Sequence, residues 1–215
     1  MRLAFIGGTG PEGLGLAVRF AAAGEDIIIG SRSLERAQEA VAKIVALVPQ
    51  ARASGAENPE AARQGEVIFI TVPFEGQRDV LLGLREAIGA KLVVDTVVPL
   101  VFEKGRARAI AVAEGSATQQ AQALLPQALV TGAFHHLSAP KLLKVDVDLG
   151  SDVIVVADDA QARRQVMALA ERIKGVRGID GGPLANARYV EELTALILGI
   201  NRTYKVQAGI RLTGL

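Results

Sequence analysis

Apolar residues enter this chain in short runs separated by stretches of helical periodicity. Leu3 to Ile6 is the first run; a glycine-rich turn follows, and Leu14 to Ala23 then repeats at helical spacing up to Gly24. A brief continuous apolar run between turn residues marks a strand buried on both faces, and the 3.6-residue pattern marks the helix that covers it. The alternation continues with strands over 26–30, 67–71 and 91–95 and helices over 34–47 and 75–88. Between them lie a short segment at 51–55 and a short helix over 58–64, with Asn58 as its cap and Pro59 at its first position. Strands are expected again at 128–131, 151–157 and 175–179, with a helix over 160–174. A long helix starts after Asp180-Gly-Gly-Pro-Leu184, apolar at Val190, Leu193, Leu196, Ile197 and Ile200. Residues 99–115 lack either period and read as an irregular, exposed excursion. Strands alternating with helices predict an α/β fold, a doubly wound parallel sheet of Rossmann type.

The first turn narrows the ligand. Gly8-x-Gly10-x-x-Gly13 has the spacing of a dinucleotide-binding fingerprint, and it lies between a strand and a helix as that fingerprint requires. Gly8 is read as permitting the tight turn, Gly10 as admitting a pyrophosphate to the backbone, and Gly13 as letting helix and strand pack closely. A glycine-rich turn with no ligand is the bland alternative. The second strand ends in Gly30-Ser31-Arg32, where an NAD site would carry an acid for the ribose 2′-hydroxyl. A hydroxyl and two guanidiniums, Ser31, Arg32 and Arg36, suit a 2′-phosphate instead, which points to NADP(H). Against this stands the reading of Arg32 and Arg36 as solvated charges and Ser33 as a simple helix cap.

Composition removes other classes. Of 215 residues, half are apolar, enough for a core, yet no uninterrupted apolar stretch reaches the about 18 residues of a membrane span. The apolar start is one short strand broken by glycine, so no signal peptide is expected and the cytoplasm is the expected compartment. A net charge of +1 and 4% aromatic residues give no reason to expect nucleic-acid or membrane binding. With no cysteine, disulfides, thiolate metal sites and a cysteine nucleophile are excluded, and no spaced His/carboxylate set suggests a metal.

Residues just after the strands carry the remaining chemistry, since ligands of such sheets lie beyond the strands' carboxyl ends. These are Thr71-Val-Pro-Phe-Glu75, Asp95-Thr-Val-Val-Pro99 and Gly132-Ala-Phe-His-His-Leu-Ser-Ala-Pro140. His135 and His136, the two histidines of the chain, are the candidates for contact with substrate; loop histidines without a role are the alternative. Asp95 could serve as a general base or merely cap a strand end. There is no GxSxG, HExxH, Walker A or Tyr-x-x-x-Lys sequence. Hydride exchange between two redox rings needs proximity and orientation more than an acid–base set.

Gly7-Gly-Thr-Gly-Pro-Glu-Gly-Leu-Gly15, Ile29-Gly-Ser-Arg32, Thr71-Val-Pro-Phe74 and Asp180-Gly-Gly-Pro-Leu-Ala-Asn-Ala-Arg188 resemble the NADPH-dependent F420 reductases, also called F420H2:NADP oxidoreductases, over essentially the whole chain. The resemblance implies reversible hydride transfer between NADP(H) and the deazaflavin coenzyme F420. It implies an NADP-binding Rossmann domain at 1–150 and a small C-terminal α/β domain at 151–215 closing the deazaflavin cleft. It puts Thr9, Gly10, Pro11 and Glu12 on the pyrophosphate and Ser31, Arg32 and Arg36 on the 2′-phosphate. Val72, Phe74, Val98 and Ala139 would line the nicotinamide, and His135 would contact and orient the deazaflavin as the catalytic residue. The chain departs from the family where Pro11-Glu12 replaces a frequent Asn-Leu, Arg36 a lysine and Phe74 a tryptophan; Glu12 brings a negative charge toward a pyrophosphate. Another small NADP-dependent reductase, of an imine, a flavin or ferric iron, and a non-catalytic NADP sensor are the other readings. The apolar positions of the last helix suggest a homodimer.

Overall fold

The computed structural model describes residues 1–215. The first half runs β1 (Arg2–Ile6), α1 (Pro11–Ala22), β2 (Asp26–Ser31), α2 (Leu34–Leu47), β3 (Arg52–Glu57), α3 (Asn58–Gln64), β4 (Val67–Ile70), α4 (Phe74–Ile88) and β5 (Leu92–Asp95). A hairpin of β6 (Leu100–Glu103) and β7 (Arg106–Ala109) follows, then α5 (Ala117–Leu124), β8 (Leu129–Gly132) and α6 (Ala139–Leu142). The chain closes with β9 (Ser151–Val155), α7 (Ala160–Ala170), β10 (Val176–Asp180), a 3-10 turn at Leu184–Asn186 and α8 (Ala187–Tyr204). No helix is long and apolar enough to cross a membrane.

Six strands form one parallel sheet in the order β3-β2-β1-β4-β5-β8. Side chains alternate between its faces, and each face has its own apolar cluster. Leu3, Phe5, Ile29 and Phe69 pack against α1, α2 and α7; Ala4, Ile6, Ile68 and Ile70 pack against α3, α4 and α5. Burial on both faces is why these strands read as unbroken apolar runs. Phe5, Phe20, Phe69 and Phe134 meet on the first face with neighbouring ring centroids 4.7 to 6.3 Å apart.

The second half differs from the sequence pattern in three places. Residues 99–115, expected to be irregular, contain the antiparallel hairpin of β6 and β7. Its turn uses Lys104 and Gly105, both at positive φ (49° and 73°), the twist that two-residue hairpins favour. Polar Arg106–Ala109 has little strand signal of its own; α8 supplies the support, with Arg202 donating to the Gly105 carbonyl at 2.7 Å. Helix α5 carries no strong apolar stripe and was not expected; its cap is Ser116, which accepts from the Gln119 N–H. The strands near 151 and 175 pair only with each other, in parallel, around α7. Val156 meets Gly132 through one antiparallel bridge, with two hydrogen bonds of 2.8 and 3.0 Å. The chain runs the wrong way there to add a seventh parallel strand.

Arg19, on the last turns of α1, is 3% exposed. Its guanidinium donates to five carbonyls, those of Lys141, Leu142, Lys144, Val145 and Val147, at 2.6 to 3.0 Å. Burial pulls its pKa down, while Asp146 and Asp148 nearby pull it up. The planar five-donor fork fits five acceptors as no lysine can. Replacing Arg19 with Met strands those carbonyls and should cost about 3 kcal/mol of stability in urea denaturation. Arg19→Lys should recover less than half of that loss; full recovery would show that charge alone, and not the fork, holds the segment.

Candidate active site

The chain steps from β1 through β2 to β3 on one side and then crosses back to β4 on the other side of β1, so a crevice opens beyond the carboxyl ends of β1 and β4. A cleft of ≈ 530 Å³ occupies it, lined from Thr9 to Glu12, by Ser31, Arg32, Ser33 and Arg36, and by Asn58, Thr71, Val72 and Val80. The glycine turn is built differently from its sequence reading at one position. Gly7, at φ 73°, makes the tight turn. Gly8 is required because a Cβ there would come within 2.8 Å of Phe5. Gly13 keeps its expected role: a Cβ would lie 2.5 Å from Thr71 Oγ1, whose hydroxyl donates to the Ile6 carbonyl at 2.8 Å. At Gly10 a Cβ would meet only the Gly7 carbonyl, at 3.7 Å, so its absence opens the backbone toward the cleft. Asn58 does not cap α3; Glu57 precedes the helix, and buried Asn58 instead accepts from the Gly7 N–H at 3.4 Å.

At the far end of the cleft, Ser31 Oγ accepts from the Ser33 N–H, and Ser33 caps α2 by accepting from the Arg36 N–H. The cap expected as the bland role of Ser33 is therefore present. The guanidiniums of Arg32 and Arg36 line the cleft and have no ion-pair partner. Unpaired cations and a free hydroxyl at a strand end, with no acid there, suit a phosphate monoester.

Of the sequence-named residues, Thr9, Gly10, Pro11, Glu12, Ser31, Arg32, Arg36 and Val72 line this cleft, while Gly8 and Gly13 lie beneath it. Phe74, Val98, His135 and Ala139 do not line it. They follow β4, β5 and β8, three adjacent strands, and so continue the same edge of the sheet away from the arginines. Phe74, Val98 and Ala139 are partly exposed there. Carboxyl Oε1 of Glu12 is sealed from solvent and unpartnered, and burial pushes the group up to about 8.

The two histidines separate. His136 Nε2–H donates to the Asp152 carbonyl at 2.8 Å, which ties the loop to β9 and removes His136 from the substrate candidates. His135, 6% exposed, has both ring nitrogens without a partner. Burial, with His136 beside it, pulls it down to about 3, so the ring is neutral and keeps one donor and one acceptor. Its backbone is fixed on both sides. The preceding Phe134 is held at φ 68°, a rare conformation for a bulky side chain, and Thr194 of α8 donates to the His135 carbonyl at 3.0 Å.

Asp95 is not a general base facing substrate, because it is 0% exposed. Gln77 Nε2 donates to both its oxygens at 2.9 and 3.0 Å, and Gln120 Nε2 donates to Gln77 Oε1. Nearby, Thr118 Oγ1 donates to Glu191 of α8 at 2.8 Å, and Glu191 also accepts from the Ala117 and Thr118 N–H groups. Burial first, and the nearby Glu191 second, hold Asp95 well above the ordinary range, against the pull of its own hydrogen-bond donors. Neither partner was legible, since Thr118 and Glu191 lie in unmarked stretches of sequence.

Residues 2–99 match the family model described as NADP oxidoreductase, coenzyme F420-dependent. An F420-dependent NADP reductase of Methanothermobacter thermautotrophicus is 40% identical over 100% of this chain and 96% of its own. One from Methanocaldococcus jannaschii is 36% identical over 100% and 99%. Among solved structures, an Arthrobacter sp. FB24 protein described as an F420-dependent NADP-reductase superposes with a TM-score of 0.83 at 23% identity, over 99% of this chain and all of that one.

The buried pair makes stability depend on pH. An acid whose folded pKa is raised stabilises the fold below its unfolded pKa and loses that contribution as pH rises through the folded value. Thermal unfolding of the wild type relative to Asp95→Asn should therefore worsen steadily above the ordinary aspartate range. Parallel pH profiles for the two proteins would show that Asp95 holds no proton.

Proposed function

The chain belongs to the coenzyme F420-dependent NADP oxidoreductases, and from that premise we propose how its residues divide the work between two cofactors. The enzyme is an oxidoreductase of NADP(H) and coenzyme F420. The observation that carries the division is the pair of unpaired guanidiniums, Arg32 and Arg36, at one end of the cleft with an unpartnered neutral imidazole, His135, farther along the same sheet edge. The cleft fits a dinucleotide: an open glycine backbone at Gly10, the free N–H groups of the first turn of α1, and a phosphate-sized cationic end.

Ser31, Arg32 and Arg36 hold the 2′-phosphate, and Thr9, Gly10, Pro11 and Glu12 hold the pyrophosphate. Val72, Phe74, Val98 and Ala139 give the nicotinamide an apolar wall that excludes water. When both cofactors are bound, a hydride passes between C4 of the nicotinamide and C5 of the deazaflavin, and one proton is exchanged with it. His135 orients the deazaflavin through its free ring donor and acceptor. Face-to-face positioning of this kind can supply on the order of 7–11 kcal/mol of barrier reduction at best. Residues 1–150 act as the NADP-binding part and 151–215 as the part that closes the deazaflavin side, α8 with its Thr194 tether included. The enzyme works in the cytoplasm as a homodimer, a reading supported by Tyr189, Leu196, Ile200 and Tyr204, all exposed along α8.

Mixing the protein with NADPH and purified F420 should bleach the deazaflavin absorbance, whereas FMN in its place should give no turnover. Arg32→Ala should raise the KM for NADPH roughly 10- to 100-fold and leave the NADH reaction unchanged. An equal loss with both dinucleotides would refute the 2′-phosphate assignment. His135→Ala should raise the KM for F420 while keeping kcat at saturation within about three-fold. Because the ring stays neutral down to about 3, wild-type kcat should show no inflection from His135 between pH 5 and 8. A collapse of kcat with unchanged KM would make His135 a participant in the transfer itself.

A further inference from the structure

Glu12 is the cleft residue whose chemistry hydride transfer leaves unused. It is the second residue of α1 and lines the cleft beside Thr9, Gly10 and Pro11; Oε1 is sealed from solvent without a partner, which leaves Oε2 as the oxygen that a ligand in the cleft can reach. Pro11, the residue before it, has no N–H, so the first turn of α1 offers one donor fewer to an anion than such a turn ordinarily does. We propose that Glu12 engages the dinucleotide as a neutral carboxylic acid, its O–H donating to a pyrophosphate oxygen in place of the N–H that Pro11 lacks. This rests on the assignment of the cleft to NADP(H).

The protonation state follows from the surroundings. An ionised carboxylate against a pyrophosphate would set like charges at hydrogen-bond distance, whereas the protonated group is a donor. Burial pushes Glu12 up to about 8, overriding the α1 N-terminus, which favours the anion. No ionised side chain opposes that shift. The other charged side chains lining the cleft are Arg32 and Arg36; Arg19 of α1, Glu75, Arg78 and Asp79 of α4 and Lys141 of α6 lie on neighbouring elements, and none of them shifts Glu12, for which burial is the one cause. His135 is neutral, and Arg19 is committed to five carbonyls. None forms an ion pair with Glu12. Near pH 7 the protonated form therefore predominates, and the arriving pyrophosphate, being negative, holds the proton in place.

The test is calorimetric titration, without deazaflavin, of wild type, Glu12→Gln and Glu12→Leu with NADP⁺ and with 2′-phospho-ADP-ribose between pH 6.5 and 9.5. The second ligand keeps the pyrophosphate and lacks the nicotinamide. Titration of the 2′-phosphate is common to all three proteins and cancels in their ratios. Glutamine presents an N–H at every pH, so Glu12→Gln should match wild type at pH 7. Relative to it, wild-type affinity should fall tenfold per unit above pH 8 and be about 30-fold weaker at pH 9.5, for both ligands alike. Glu12→Leu should follow the pH profile of Glu12→Gln but bind more weakly. A constant ratio of wild type to Glu12→Gln overturns the proposal and leaves the NADP(H) assignment standing. A fall with NADP⁺ but not with 2′-phospho-ADP-ribose overturns the pyrophosphate contact. Failure of the wild type to bind either ligand overturns the NADP(H) assignment and the proposal together. Thermal unfolding of the three unliganded proteins gives an independent reading. Wild type should lose stability, relative to both variants, as pH rises from the ordinary carboxylate range toward about 8, and run parallel to them above it, because the native state alone holds the proton in that window.

Discussion

One guanidinium fixes the distance between the two walls of this molecule's active edge. The N-terminal end of α1 carries the glycine turn, and Arg19, near its other end, binds the carbonyls of 141–147. The segment after β8 is thus fastened to the helix that starts the cleft. It is fastened elsewhere too. The Ala133 N–H donates to the Asp95 carbonyl, Thr194 holds the His135 carbonyl, and His136 holds β9. His135 gains a fixed position with no bond of its own, which leaves its ring nitrogens free for a ligand. A buried ring left unsatisfied in this way costs stability, and the backbone ties around it supply the compensation.

The charge arrangement divides the same edge. Its arginine end is open, cationic and unpaired; its histidine end is buried and neutral. Between them the acids are kept from ionising by burial, as at Glu12 and Asp95. An edge that must accept two anionic cofactors gains from having its carboxyls neutral or turned inward. Burial pushes Glu191 up as well, but three hydrogen bonds accepted at the start of α5 pull it the other way.

The parallel sheet was legible because strands covered on both faces cannot hide their apolar runs, and the fingerprint because glycine spacing is a local property. The division of labour between Gly7 and Gly8 was not, since both are glycine and only the backbone decides which bears the positive φ. His135 and His136 are likewise indistinguishable in sequence; one residue's offset turns one ring to β9 and leaves the nitrogens of the other without a partner. Arg19 looks like any helix arginine, its acceptors lying more than 120 residues away. The hairpin at 100–109 is stabilised by α8 more than by its own residues, so no pattern announced it. The 2′-phosphate role proposed for Ser31, Arg32 and Arg36 starts from a missing acid, a signal local to the sequence, whereas the proposed deazaflavin side rests on family likeness, because an orienting wall has no diagnostic residue type.

The bridge between Gly132 and Val156 is small, two hydrogen bonds, but it sits where a hinge would be. With β8 welded to the strand that begins the last third of the chain, and β9 and α7 sharing the first apolar cluster, the molecule has no soft joint about which one half could swing. Ring alignment is then set when the chain folds and not when ligands arrive. A frame tied in this way places the rim of the cleft, and not the join between the two parts of the chain, where any movement on binding would have to occur.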